Sequence, residues 1–105
     1  MRVTISHKKP VDQVKSAVDH SMSQMFSGLG GGIVEFTEHH REWHGDTMTF
    51  SLTARLGFVK TPVKGTVAVT IVDVTVDVDL GLLEKLIPQD TVRSGIEGQV
   101  RGLLT

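Results

Sequence analysis

Strict alternation of apolar and polar residues dominates the second half of the chain. Met48, Phe50, Leu52, Ala54, Leu56 and Phe58 occupy every second position, with Thr47, Thr49, Ser51, Thr53 and Arg55 between them. A period of two belongs to a strand with one buried face. Val67, Val69 and Ile71 resume the pattern, and Val74, Val76, Val78 and Leu80 repeat it one residue out of phase. The shift predicts a hairpin Val67–Leu80 turning at Val72-Asp73, or through a slightly longer loop, with Ile71 opposite Val74. Lys60-Thr61-Pro62-Val63-Lys64-Gly65 reads as the loop between the two blocks. The other face of these strands carries Thr66, Ala68, Thr70, Thr75, Asp77 and Asp79. Helices are therefore expected on one side of the sheet only.

The first half of the chain supplies a short strand and a helix. Val3-Thr4-Ile5 predicts an edge strand. After Pro10, suited to the start of a helix, apolar residues recur at Val11, Val14, Val18, Met22, Met25 and Leu29. Steps of three and four predict one helical stripe of about four turns, stopped by Gly28 and Gly30-Gly31-Gly32. Phe36 and Trp43 have opposite parity on the following strand, so a β-bulge near His39-His40 is expected to bring both rings to the core. Gly45-Asp46 then forms a two-residue turn that sets Trp43 opposite Met48. Near the end, Leu82, Leu83, Leu86 and Ile87 suggest a short helical turn stopped by Pro88. Asp90 is the expected N-cap of a last helix with Val92, Ile96, Val100, Leu103 and Leu104 on one face. Gly95, Gly98 and Gly102 weaken that helix, and either allow close packing or let the C-terminus fray. The expectation is an α+β fold in the order β-α-β-β-β-β-α, an antiparallel sheet of four to five strands with helices on one face.

Composition narrows the classes. A chain of 105 residues holds one domain, 1–105, with one core. Eleven basic and twelve acidic residues are scattered, so no nucleic-acid footprint appears. The absence of cysteine removes disulfides and thiolate chemistry. No apolar run suits a transmembrane segment, and the N-terminus is polar, so a bacterial cytoplasmic location is expected.

Candidate chemistry is sparse. Glu38, His40, Glu42 and His44 share a face of a regular strand, and His40, Glu42 and His44 are candidate metal ligands. The plainer account is a solvated strand and turn. Asp73, Asp77 and Asp79 invite the same question, with solubilising strand residues as the alternative. Gly28–Gly32 follows a helix and lacks the Gly-Lys-Ser/Thr of a phosphate loop, so it reads as a linker or cap. His7 and His20 stand alone. Met22, Met25, Trp43 and Phe50 are candidates to line an apolar-ligand pocket, against the simpler possibility that they fill the core. No catalytic constellation is legible, and no cofactor is expected.

Three signatures occur together: Trp43-His44-Gly45-Asp46 leading into Met48 and Phe50, Val63-Lys64-Gly65, and Val76-Asp77-Val78-Asp79-Leu80-Gly81 before Leu82-Leu83. With Ile5-Ser6-His7 ahead of an amphipathic helix, the chain resembles the polyhydroxyalkanoic acid system family of short bacterial proteins. The resemblance implies association with polyhydroxyalkanoate granules and supplies no catalytic residues. The leading expectation is a non-enzymatic accessory or binding protein that meets the granule surface or granule proteins. It would use an apolar surface exposed when the last helix loosens. Two alternatives stand beside it: an acyl or lipid carrier of helix-grip type, whose element order is similar, and a metal-dependent enzyme at His39, His40 and His44. A homo-oligomer, if formed, is expected through an edge strand.

Overall fold

A computed structural model describes residues 1–20 and 34–104. The element order is β1 (Arg2–Ser6), α1 (Val11–His20), β2 (Glu35–His44), β3 (Thr47–Leu56), β4 (Val59–Val69), β5 (Asp73–Asp79), α2 (Leu83–Leu86) and α3 (Gln89–Leu104). The five strands form one antiparallel sheet in the spatial order β1-β5-β4-β3-β2. This is the expected α+β architecture, with the first strand paired to the last. The rest of the expected first helix, including Met22, Met25 and the Gly28–Gly32 segment, lies outside the described residues.

The core lies on one face of the sheet. Met48, Phe50, Leu52 and Ala54 of β3, Val63, Val67 and Val69 of β4, and Val74, Val76 and Val78 of β5 are all buried. Val14 and Val18 of α1 and Val92, Ile96 and Val100 of α3 close it from above. α3 packs on β1 and α1, and α1 also reaches β4. Burial of this set removes the apolar faces of both helices and of the sheet from water together, so neither layer is stable without the other.

Hairpin geometry departs from the sequence expectation at two turns. β3 and β4 are joined by Gly57-Phe58 alone, with Leu56 opposite Val59. Gly57 has φ +62°, as the first position of such a tight turn requires. The segment expected as a loop, Lys60–Gly65, is therefore strand, and Phe58 sits at the turn instead of on the core face. Pro62 is tolerated because the register puts it in a non-hydrogen-bonded pair with Thr53, its nitrogen facing away from β3. On that side β5 pairs with β4 only from Lys64 to Val69, so no ladder bond is lost. At the other end Val69, not Ile71, pairs with Val74. The Thr70 hydroxyl accepts the Val72 and Asp73 amides at 3.2 and 3.0 Å and donates to the Asp73 carboxylate at 2.8 Å, which fixes the reversal at Ile71-Val72.

The register of β3 and β4 also sets Gly65 opposite Phe50 on the core face. A Cβ at Gly65 would lie 2.7 Å from Phe50 Cζ and 2.4 Å from the Asp77 carbonyl oxygen. The phenyl ring and the β5 backbone occupy the space a side chain would need. Lys64-Gly65 is thus a mid-strand packing site and not a turn.

α3 begins at Gln89, its first bonds running from the Thr91 and Val92 amides to the Pro88 carbonyl. Asp90, expected as N-cap, lies instead inside the first turn, where its charge suits the helix dipole. Gly98 and Gly102 face open space, with nothing within 4 Å of an added Cβ, so they are not close-packing residues.

Gly65→Ala is expected to destabilise the fold by about 2 kcal/mol or more, because backbone as well as ring must shift; urea unfolding followed by Trp43 fluorescence measures it. Gly98→Ala and Gly102→Ala should each raise stability, by up to about 1 kcal/mol, as only helix propensity changes. Thermal melts by circular dichroism show the sign.

Candidate functional site

The polar cluster on β2 is divided by a bulge. Glu38 pairs with Leu52 and His40 with Ser51, so one extra residue intervenes at His39. The irregularity falls where Phe36 and Trp43 require it, and both pack against the core. It also sends Glu38 and Arg41 to the helix side while His40, Glu42 and His44 stay on the outer face, opposite Ser51, Thr49 and Thr47. There Glu42 Oε2 lies 3.2 Å from His40 Nε2 and 3.5 Å from His44 Nε2. The carboxylate stands between two imidazoles two residues away on either side, and all three side chains are more than half exposed. Among the described residues no group of three or more His, Asp or Glu is arranged to hold a metal ion.

Trp43 faces α1. Its Nε1 donates to Asp19 Oδ1 at 3.0 Å, and the Lys15 ammonium lies 5.1 Å from the ring centroid. Lys15 also donates to the Gly45 carbonyl at 2.8 Å and pairs with Asp46 at 3.2 Å. Arg41 joins from β2, donating to the Asp19 carbonyl and pairing with Glu38 at 3.1 Å. These contacts fasten the helix to the β2–β3 turn. Phe50 is buried over Gly65 in the core. Of the proposed pocket-lining residues, then, Phe50 fills the core and Trp43 is engaged by the helix, while Met22 and Met25 lie outside the described residues.

The remaining sequence candidates have local partners. Asp77 pairs with Arg2 at 3.0 Å, Asp73 with the Thr70 hydroxyl, and Asp79 with the Gly81 amide. His7, expected to stand alone, is buried between strands. Its Nδ1 accepts the Lys9 amide at 3.1 Å, so Nε2 carries the hydrogen and donates to the Thr70 carbonyl at 2.8 Å. His7 therefore ties the end of β1 to the β4–β5 turn.

The feature not anticipated from sequence is the free end of the β3–β4 hairpin. Phe58 is 106% exposed, with Val59 also exposed beside it. A bare phenyl at the end of a long hairpin places apolar area where the fold gains nothing from it. On the outer face just behind it, Arg55 pairs across the strands with Lys60, while Lys64 lies four rungs further back, opposite Asp79 of β5. Glu35 lies 3.4 Å from Arg55, while Lys60 and Lys64 have no ion pair among the described residues. Arg55, Lys60, Thr37, Thr53 and Glu35 surround an open depression of about 370 Å³. The signal in the sequence was Gly57: a Gly-X pair between alternating runs marks a two-residue turn and would have taken Phe58 off the core face.

No curated protein and no solved structure gives a significant match to the chain. A family model does, that of the polyhydroxyalkanoic acid system proteins, and it spans residues 1–104. A match over this length runs from β1 through α3, across every element just described. The chain belongs to the polyhydroxyalkanoic acid system protein family.

Proposed function

We propose that this protein is a non-enzymatic accessory protein that associates with polyhydroxyalkanoate granules through the end of its β3–β4 hairpin. The family supports a granule link in general terms. The observation that carries the specific reading is the full exposure of Phe58 at a two-residue turn. Single exposed apolar residues are common on protein surfaces. This one differs in being a whole aromatic ring at the end of the longest hairpin, with Val59 exposed beside it, whereas the β4–β5 turn exposes Ile71 and Val72 but no ring.

A polyester surface presents apolar area that a protruding phenyl can enter without any loss of internal packing. Adsorption of this kind needs no opening of α3, whose Val92, Ile96 and Val100 stay in the core. No helix among the described residues is long and apolar enough to cross a membrane, so attachment by the hairpin tip is peripheral.

Co-sedimentation of purified protein with protein-free amorphous polyhydroxybutyrate particles tests the reading. Phe58→Ser is expected to lower the partition coefficient roughly tenfold or more, the scale of one buried aromatic side chain. Gly98→Ala with Gly102→Ala, which stiffens α3, should leave adsorption unchanged. Equal binding by wild type and Phe58→Ser, or a loss confined to the stiffened helix, would remove the hairpin from the mechanism.

A further inference from the structure

We infer that the protein is bivalent: the β4–β5 turn, through Ile71 and Val72, is a second contact for an uncharged polyester surface, so that one molecule bridges two granules. The inference rests on the reading that Phe58 meets the granule, and adds what the opposite end of the molecule does.

Exposure and position carry it. Ile71 is 78% exposed and Val72 58%. Chain reversals usually take small or polar residues, and two β-branched apolar ones here add nothing to the core. Hydrogen bonds fix the shape of the turn. The Thr70 amide donates to the Asp73 carbonyl, the His7 amide to the Val72 carbonyl and the His7 ring to the Thr70 carbonyl, each at 2.8 Å. The turn also reaches past its neighbour between β2 and β3, because the Val69 amide, two residues before Ile71, already bonds the Asp46 carbonyl at 2.9 Å.

Distance makes the two tips independent. Phe58 precedes β4 and Ile71 follows it, and the eleven strand residues between them span about 35 Å. The longest extent of the molecule is 42 Å. Along that length the outer face carries threonines and charged side chains, while helices pack on the core face. A molecule adsorbed through Phe58 therefore stands end-on, with Ile71 and Val72 turned away from the first surface. Charges near both tips are of mixed sign: Arg55 and Lys60 with Glu35 at one, Lys8 and Lys9 with Asp73 at the other. Neither tip selects an ionic surface, and uncharged polyester suits both. Lys8 and Lys9 follow the His7–Val72 bond directly, so their ammonium groups approach the surface with this tip and weaken the second contact. Many molecules in one contact zone offset that weakness.

Dynamic light scattering of protein-free amorphous polyhydroxybutyrate particles, read beside co-sedimentation, tests the bridge. Wild type is expected to raise the mean particle diameter several-fold at partial coverage. The effect should vanish at saturation, where no bare surface remains for the second tip. Ile71→Ser with Val72→Ser should bind particles within about twofold of wild type, since the two tips are far apart, yet leave them dispersed. Phe58→Ser should lose both binding and clustering. Free wild type should sediment as a monomer at these concentrations, and circular dichroism spectra of the variants should overlay. Three outcomes would overturn the inference and leave the granule reading intact. They are no clustering by wild type, clustering unchanged by Ile71→Ser with Val72→Ser, and clustering that traces to a dimer of the free protein. Flotation with phospholipid vesicles that needs Ile71 and Val72, without particle clustering, would assign this tip to a membrane and overturn it as well. Unchanged polyester binding by Phe58→Ser would remove both readings.

Discussion

The chain reverses at Gly57-Phe58, and the register of that one turn decides what faces what across the middle of the sheet. Side chains alternate faces, so a slip of one residue would move every apolar residue of β4 to the polar side. The register as formed stacks Met48 against Val67 and Leu52 against Val63 on the core face. It also brings Phe50 opposite a residue with no side chain. Gly65 is the space into which the phenyl ring packs, so turn, glycine and aromatic form one steric unit. Because Leu56 pairs with Val59, the hairpin also extends beyond the end of β5, and the outer part of β4 accepts a proline that a central strand would reject.

The helices depend on the sheet in turn. α1 carries few buried residues among those described, chiefly Val14 and Val18. What positions it is the polar frame around Trp43, where Lys15, Asp19, Arg41 and Asp46 connect helix, strand and turn. The bulge in β2 is the precondition, since it brings Arg41 and Trp43 to the helix side. The same displacement leaves His40, Glu42 and His44 facing water. A single extra residue thus divides the histidine-rich segment between a structural role and a solvated face.

With the core committed in this way, little surface remains for function. The carboxylates that looked available on β5 are occupied by Arg2, Thr70 and Gly81. The outer face is polar and open, and on it Lys60 lies one rung behind the Leu56–Val59 pair that closes the turn at Phe58. A fold whose apolar face is closed by helices can offer an apolar group to a surface only at its ends. The hairpin tip is such an end.

The sequence by itself determined the class of the fold, its one-sided sheet, the Gly45-Asp46 turn, the bulge near His39-His40 and most of the core residues, Phe58 and Ile71 excepted. Each of these follows from a period or a local steric rule that neighbouring residues express together. The family was legible for the same reason, since its short motifs are mostly turn and packing residues. Two things were decided only by tertiary structure. Pro62 and Gly65 signal a loop when read locally. They sit in a strand because β5 stops short of one and Phe50 fills the space above the other, both being facts about neighbours distant along the chain. The fate of Phe58 followed from that. Alternation placed it on the core face, whereas the turn put it in water, and cross-strand pairing then set Arg55 and Lys60 behind it on the opposite face from the core.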